Sequence, residues 1–93
     1  MINSINRVEL HDATYQHYET LHGLMERRGF SRRILGSDNI WYKLPPAEYH
    51  FSGNATRDQL LAAARECAAA VRPSYAVLVT EYTGCTWQGL SKA

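Results

Sequence analysis

Residues 40–51 read Ile40-Trp41-Tyr42-Lys43-Leu44-Pro45-Pro46-Ala47-Glu48-Tyr49-His50-Phe51, and this stretch decides the fold. Apolar side chains occupy even positions before the two prolines and odd positions after them, a period of two that is typical of a β-strand. Neither proline can donate to a sheet hydrogen bond, so a bulge or break there would let both halves turn their apolar residues to one face. We predict an interrupted third strand over residues 40–51.

The segments on either side supply three more strands. Residues 30–35 are apolar and basic, and the turn-forming run 36–39 joins them to the third strand as a hairpin. Charged and apolar residues alternate over 7–10, which predicts a first strand over residues 4–11 with one face buried. The Val-, Tyr- and Thr-rich segment 75–82 is predicted as the last strand.

Two helices complete the pattern. The first is predicted over residues 15–28, with Thr14 as its N-cap and Gly29 as its left-handed C-terminal stop. The second begins at residues 56–59, Thr-Arg-Asp-Gln, which match the capping box, and ends by residue 72 before a proline.

The resulting order is β-α-β-β-α-β, and it predicts an α+β fold of the ferredoxin-like type. In that fold right-handed crossovers place both helices on one face of a four-stranded antiparallel sheet. The other face is then open, and such a face either binds a ligand or pairs with a second copy. We expect one domain over residues 1–93, with 83–93 as an irregular tail.

Composition bounds the function. The chain has 93 residues, with ten Lys plus Arg, nine Asp plus Glu and a net charge of +1. This size excludes a large two-domain enzyme, and the charge excludes a globally basic nucleic-acid binder. No run of about 20 apolar residues and no signal sequence is present, so we expect a cytoplasmic protein without a membrane partner. Cys67 and Cys85 are too few for a disulfide scaffold or a zinc site, and we expect reduced thiols.

Several runs along the chain carry a family resemblance. They are Arg7-Val8-Glu9-Leu10-His11, Tyr18-Glu19-x-Leu21-His22-x-x-Met25-Glu26-x-x-Gly29-Phe30-Ser31-Arg32, Trp41-Tyr42-x-Leu44-Pro45-x-Ala47-Glu48-Tyr49, Thr56-Arg57-Asp58-Gln59 and Tyr75-x-Val77-Leu78-Val79-Thr80-Glu81. Over residues 7–90 the sequence resembles the GhoS-like family, the endoribonuclease antitoxins of type V toxin–antitoxin systems. The resemblance implies a ferredoxin-like fold, similar to that of small CRISPR-associated nucleases. It also implies cleavage of the messenger RNA that encodes a small membrane-damaging toxin.

Candidate catalytic groups follow from the chemistry of RNA cleavage without a metal, which needs a base, an acid and a cation for the phosphorane charge. His50 is out of phase with Tyr49 and Phe51, so it faces the open side of the sheet if they face the helices. One of the two arginines Arg32 and Arg33 should share that side and contact phosphate. The competing interpretation of His50 is an ordinary solvated strand residue, and that of the two arginines is solvated edge-strand charge that discourages aggregation.

A metal-dependent version rests on Asp12, which follows the first strand. Similar ferredoxin-like nucleases place a metal-binding aspartate near that position, across a dimer interface. A turn or capping role is the competing interpretation of Asp12. The spacing of Glu19, His22 and Glu26 indicates an exposed polar stripe on a helix rather than a metal site. We therefore expect no cofactor and no stably bound metal.

Aromatic residues could stack bases on the open face, although core packing is expected to account for about half of them. They are Trp41, Tyr42, Tyr75, Tyr82 and Trp87. The functional prediction is an antitoxin-type endoribonuclease, a homodimer with RNA as its partner. Two other hypotheses stay open: a non-catalytic homodimeric interaction module of a bacterial, plasmid or phage accessory system, and a protein that binds a small ligand between subunits.

Overall fold

The computed structural model describes residues 1–93 and divides its five strands between two sheets. The elements, in chain order, are β1 Ile2–Leu10, α1 Tyr15–Arg27, β2 Arg33–Leu35, β3 Trp41–Lys43, β4 Glu48–Gly53, α2 Arg57–Ala69 and β5 Tyr75–Tyr82. In the larger sheet β1 lies between β4 and β5, and both pairings are antiparallel. In the smaller sheet β2 pairs antiparallel with β3. The mixed α+β class and the two helices are therefore confirmed.

The prediction of one four-stranded sheet is wrong, because the backbone changes hydrogen-bond partner at Pro45-Pro46. Just before the prolines, the Leu44 amide donates to the Arg32 carbonyl at 2.8 Å, which continues the β2–β3 ladder. Just after them, the Ala47 carbonyl accepts from the Val8 amide at 2.8 Å, which starts the pairing with β1. The predicted interruption is real, and it separates two sheets instead of bending one.

One isolated β-bridge still ties the two sheets together. The Ser31 amide donates to the His50 carbonyl at 2.8 Å, and the His50 amide donates to the Ser31 carbonyl at 2.7 Å. The chain before β2 therefore lies beside β4. This bridge fixes the distance between His50 and the start of the smaller sheet.

The helix boundaries agree with the predicted signals. Thr14 caps α1 by accepting from the His17 amide, and Thr56 caps α2 in the same way with Gln59. Gly29 follows α1 with a φ of 89°, a left-handed conformation that glycine adopts without steric cost. The capping prediction is confirmed at both helices.

The core lies between the larger sheet and the two helices. It contains Val8, Leu10, Leu21, Met25, Phe30, Tyr49, Leu60, Ala64, Cys67 and Ala68. Side chains alternate across a strand, so the even positions of β1 face the helices and its odd positions face away. Ser4 and Asn6 belong to the even set and are also fully buried, where the Asn6 amide donates to the Ser4 hydroxyl at 3.0 Å.

The opposite face of the larger sheet carries no helix. Leu78 of β5 lies on it and is 63% exposed. Residues 83–93 form no helix or regular strand, but their backbone is bonded to the outer side of β3. The Lys43 amide donates to the Ser91 carbonyl at 2.8 Å, and the Ala93 amide donates to the Trp41 carbonyl at 2.9 Å. Neither α1 nor α2 is long and apolar enough to cross a membrane.

Candidate functional site

A cavity of about 450 Å³ lies where the two sheets meet, and we call it the junction cavity. Asn3, His50, Ser52 and Tyr82 line it from the larger sheet, and Ser31, Arg33, Leu35 and Trp41 are among the residues that line it from the other side. Its volume falls in the range of about 300–1,000 Å³ that is usual for ligand pockets. No acidic residue lines it, so Arg33 is its only permanently charged group.

His50 and Tyr82 form a hydrogen-bonded pair in this cavity. The two residues lie opposite the core on β4 and β5, and the His50 Nε2 atom is 2.6 Å from the Tyr82 hydroxyl oxygen. The imidazole is half-buried, and this burial lowers the pKa of His50 below its ordinary value of 6.5. Burial also raises the pKa of Tyr82 above 10.0. At neutral pH the pair therefore consists of a neutral imidazole and a protonated phenol, a proton acceptor beside a proton donor.

Arg33 and Trp41 occupy the other wall. The Arg33 guanidinium carbon lies 5.1 Å from the centre of the Trp41 ring, in a cation–π arrangement. Trp41 is 44% exposed, so its ring is available to a ligand. Arg33 makes no salt bridge, and its charge is therefore also available to a ligand.

The structure brings two of the four predicted site residues together. His50 and Arg33 both line the junction cavity. Arg32 does not line this cavity but lines a neighbouring one, which Arg33 also borders. Asp12 lies in the exposed turn after β1, with a φ of 51°. Leu10, the last residue of β1, is five residue steps from Ile5, the β1 partner of His50, or roughly 17 Å along the strand, and Asp12 lies beyond it.

Metal ligands are not clustered anywhere in residues 1–93. No group of three or more His, Cys, Asp and Glu side chains is arranged to hold a metal ion. Both cysteines are free thiols, with Cys67 buried on α2 and Cys85 exposed in the segment after β5. The groups that line the junction cavity, His50, Tyr82 and Arg33, are suited to proton transfer and charge neutralisation.

His22 departs from its sequence interpretation as part of an exposed polar stripe. Its side chain is only 7% exposed, and its Nδ1 atom lies 2.6 Å from the buried Tyr49 hydroxyl. Burial lowers the pKa of His22, so the ring is neutral at pH 7. The Tyr49 ring fills the core at its side, with ring centroids 5.7 Å apart. This pair supports the core side of β4, directly behind His50.

Tyr82 is the candidate site residue whose contact with His50 the sequence did not reveal. The period of two in β5 groups Tyr82 with Thr80 and Leu78 on the face away from the helices, and that signal places it on the open face. The other three predicted aromatics do not line the junction cavity: Tyr42 packs edge-on against Trp87 at 5.5 Å, and Tyr75 packs against the core. Only the register between β4, β1 and β5 reveals that Tyr82 reaches His50.

The chain was also compared with known proteins. No protein-family model, no curated protein and no solved structure matches it at a significant level.

Proposed function

We propose that the junction cavity binds single-stranded RNA and cleaves it without a metal, and that the protein is an antitoxin-type endoribonuclease acting on a toxin messenger RNA. One observation carries the catalytic part of this proposal. His50 and Tyr82 are 2.6 Å apart in a cavity whose only permanent charge is Arg33. A base, an acid and a cation are the three groups that RNA transesterification requires.

The proposed reaction is an attack by the ribose 2′-oxygen on the neighbouring phosphorus. The new bond joins the 2′-oxygen to phosphorus while the bond to the 5′-oxygen breaks, which leaves a 2′,3′-cyclic phosphate and a 5′-hydroxyl end. His50 accepts the proton of the 2′-hydroxyl, and Tyr82 gives its proton to the departing 5′-oxygen. The His50 imidazolium then returns a proton to Tyr82 across their short contact, while Arg33 neutralises the phosphorane charge.

Trp41 supports RNA as the ligand class. An exposed tryptophan offers a stacking surface for a base, and such stacking contributes about 1–3 kcal/mol per base. The nearly neutral net charge is compatible with this role, because a short single strand engages few phosphates.

We further propose that the two sheets correspond to one ferredoxin-like sheet that Pro45-Pro46 divides. The bridge between Ser31 and His50 supports this relation, because it places the start of the smaller sheet beside β4, where a fourth strand would lie. A cytoplasmic location would follow from a messenger RNA substrate.

The test is incubation of the purified protein with AU-rich single-stranded RNA, with and without EDTA. We expect cleavage at the same rate in both, because His50, Tyr82 and Arg33 supply every group that the reaction needs. Cleavage that EDTA abolishes would contradict the metal-free mechanism and move the assignment to Asp12. Intact RNA in both samples would contradict the nuclease function itself.

The second candidate function is a non-catalytic homodimeric interaction module, and a feature of β5 favours it. This strand is at the edge of the larger sheet, and its Leu78 is 63% exposed on the open face. An unpaired edge with exposed apolar residues can add a strand from a second copy. Stable dimerisation together with intact RNA would select this function over the nuclease.

A further inference from the structure

A second cavity adjoins the junction cavity on the side of the C-terminal end of α1. Its volume is about 700 Å³, and its charged lining residues are Arg32, Arg33, Lys43 and Glu26. We call it the basic cavity. It shares Gly29, Ser31 and Arg33 with the junction cavity, so the two are continuous across the start of β2.

The three cations of the basic cavity lack acidic partners. None of Arg32, Arg33 and Lys43 belongs to any of the five salt bridges of the chain. Arg33 and Lys43 are also directly opposite each other in the β2–β3 ladder. Like charges in that position destabilise a sheet, and a local conflict of this kind is expected where a site binds something.

Arg32 adds an independent sign of a missing partner. Its Nε atom is buried and has no hydrogen-bond acceptor. Buried polar groups in proteins are nearly always satisfied, so an exception calls for an explanation such as an absent ligand. An anionic oxygen in the basic cavity would be a suitable acceptor for this guanidinium.

We propose that the basic cavity is a second phosphate subsite, which holds the backbone phosphate next to the one in the junction cavity. This inference rests on the proposed RNA-binding function and specifies its substrate as a strand that extends beyond a single phosphodiester. Arg33 borders both cavities and lies between the two phosphates. Arg32 and Lys43 bind the second phosphate, and they act on affinity because they line the basic cavity and not the junction cavity that holds the His50–Tyr82 pair.

The test compares two substrates of different length, the dinucleotide UpA with one phosphate and an octanucleotide of AU-rich RNA. The variants are Lys43→Ala and Arg32→Ala, with Arg65→Ala on the exposed side of α2 as the matched control. Lys43 is exposed, so its replacement keeps the test valid if the Arg32 variant folds poorly.

We expect both variants to raise KM for the octanucleotide about tenfold with kcat unchanged, because each removes one charged phosphate contact. The slope of log binding constant against log salt concentration should become shallower by roughly 0.7 for each. For UpA, wild type and both variants should have the same KM. Glu26→Gln should strengthen octanucleotide binding, because it removes the one acidic side chain that lines the basic cavity.

Three outcomes would overturn the subsite. One is octanucleotide binding by both variants equal to that of the Arg65→Ala control. The second is an equal loss for UpA and the octanucleotide. The third is competition by inorganic phosphate at the basic cavity as strong as that by the octanucleotide, which would indicate a site for a free anion. In each case wild-type protein still cleaves RNA, whereas failure of the proposed function would appear as wild type that neither binds nor cleaves RNA.

Discussion

Replacement of His50 by alanine is expected to lower kcat for RNA cleavage about 10²–10⁴-fold at pH 7, the usual effect of losing a general base. The loss should be chemical rather than structural. The bridge that holds this part of β4 to Ser31 uses backbone atoms only, and alanine keeps both of its hydrogen bonds. The measurement is single-turnover cleavage of labelled RNA, with the unfolding midpoint recorded in parallel.

His11→Ala is the matched control. His11 is exposed beyond the far end of β1 and contacts Ser74 at 2.7 Å, outside both cavities. Its replacement should leave kcat unchanged. Equal cleavage by the His50 variant and the wild type would remove His50 from the mechanism.

The pH profile supplies a second signature of the same pair. Only neutral His50 accepts a proton, and burial places its pKa below 6.5, so cleavage should rise with pH below 6.5 and then level off. Only protonated Tyr82 donates, and its pKa is above 10.0, so the plateau should extend to about pH 10. Above that pH the wild-type rate should fall as Tyr82 loses its proton. The Tyr82→Phe variant should not show this fall, because its ring has no proton to donate.

Replacement of Tyr49 by alanine is expected to cost about 3–5 kcal/mol in the free energy of unfolding, the largest effect on stability that we expect. Tyr49 is fully buried at the centre of the core, and alanine would leave a cavity there. Tyr49→Phe keeps the ring and removes only the hydroxyl that contacts His22 at 2.6 Å. An unpartnered buried imidazole costs about 1–3 kcal/mol, so the free energy of unfolding of Tyr49→Phe should lie between those of the wild type and Tyr49→Ala. Urea denaturation followed by circular dichroism measures both.

Tyr15→Ala serves as the control for removing a tyrosine ring. Tyr15 is 77% exposed at the first position of α1, and its loss should change stability by about 0.5 kcal/mol or less. A Tyr49→Phe protein as stable as the wild type would mean that the contact with His22 contributes nothing net. A Tyr49→Ala protein as stable as the Tyr15 variant would contradict the core arrangement.

Local signals in the sequence were sufficient for most of the fold. The two threonine caps, the left-handed Gly29 and the limits of β5 are all encoded in neighbouring residues, and each prediction is confirmed. The proline pair correctly indicated an interruption. Its consequence could not be predicted, because the choice between a bulge and a change of partner depends on hydrogen bonds to the Arg32 carbonyl and from the Val8 amide, which are distant in sequence.

The candidate site was predictable only where the alternation of side chains along one strand decides which face of the sheet a residue lies on. The phase of β4 placed His50 opposite Tyr49, and the phase of the chain before β2 allows one of the two neighbouring arginines, Arg33, to line the junction cavity. The pairing of His50 with Tyr82 depends on the register of both strands with β1, for which the sequence carries no local signal. The prediction that His22 is exposed is wrong for a related reason, since its burial depends on Tyr49, which is 27 residues away in the sequence.

The most direct test of the metal-free mechanism uses an RNA in which a single 2′-O-methyl group blocks the nucleotide at the mapped cleavage site. In the presence of EDTA we expect cleavage at that position to stop, and the products of the unmodified RNA to carry 2′,3′-cyclic phosphate and 5′-hydroxyl ends by mass spectrometry. Cleavage of the blocked RNA at the same position, or products that end in a 3′-hydroxyl, would contradict attack by the 2′-oxygen and the roles of His50, Tyr82 and Arg33.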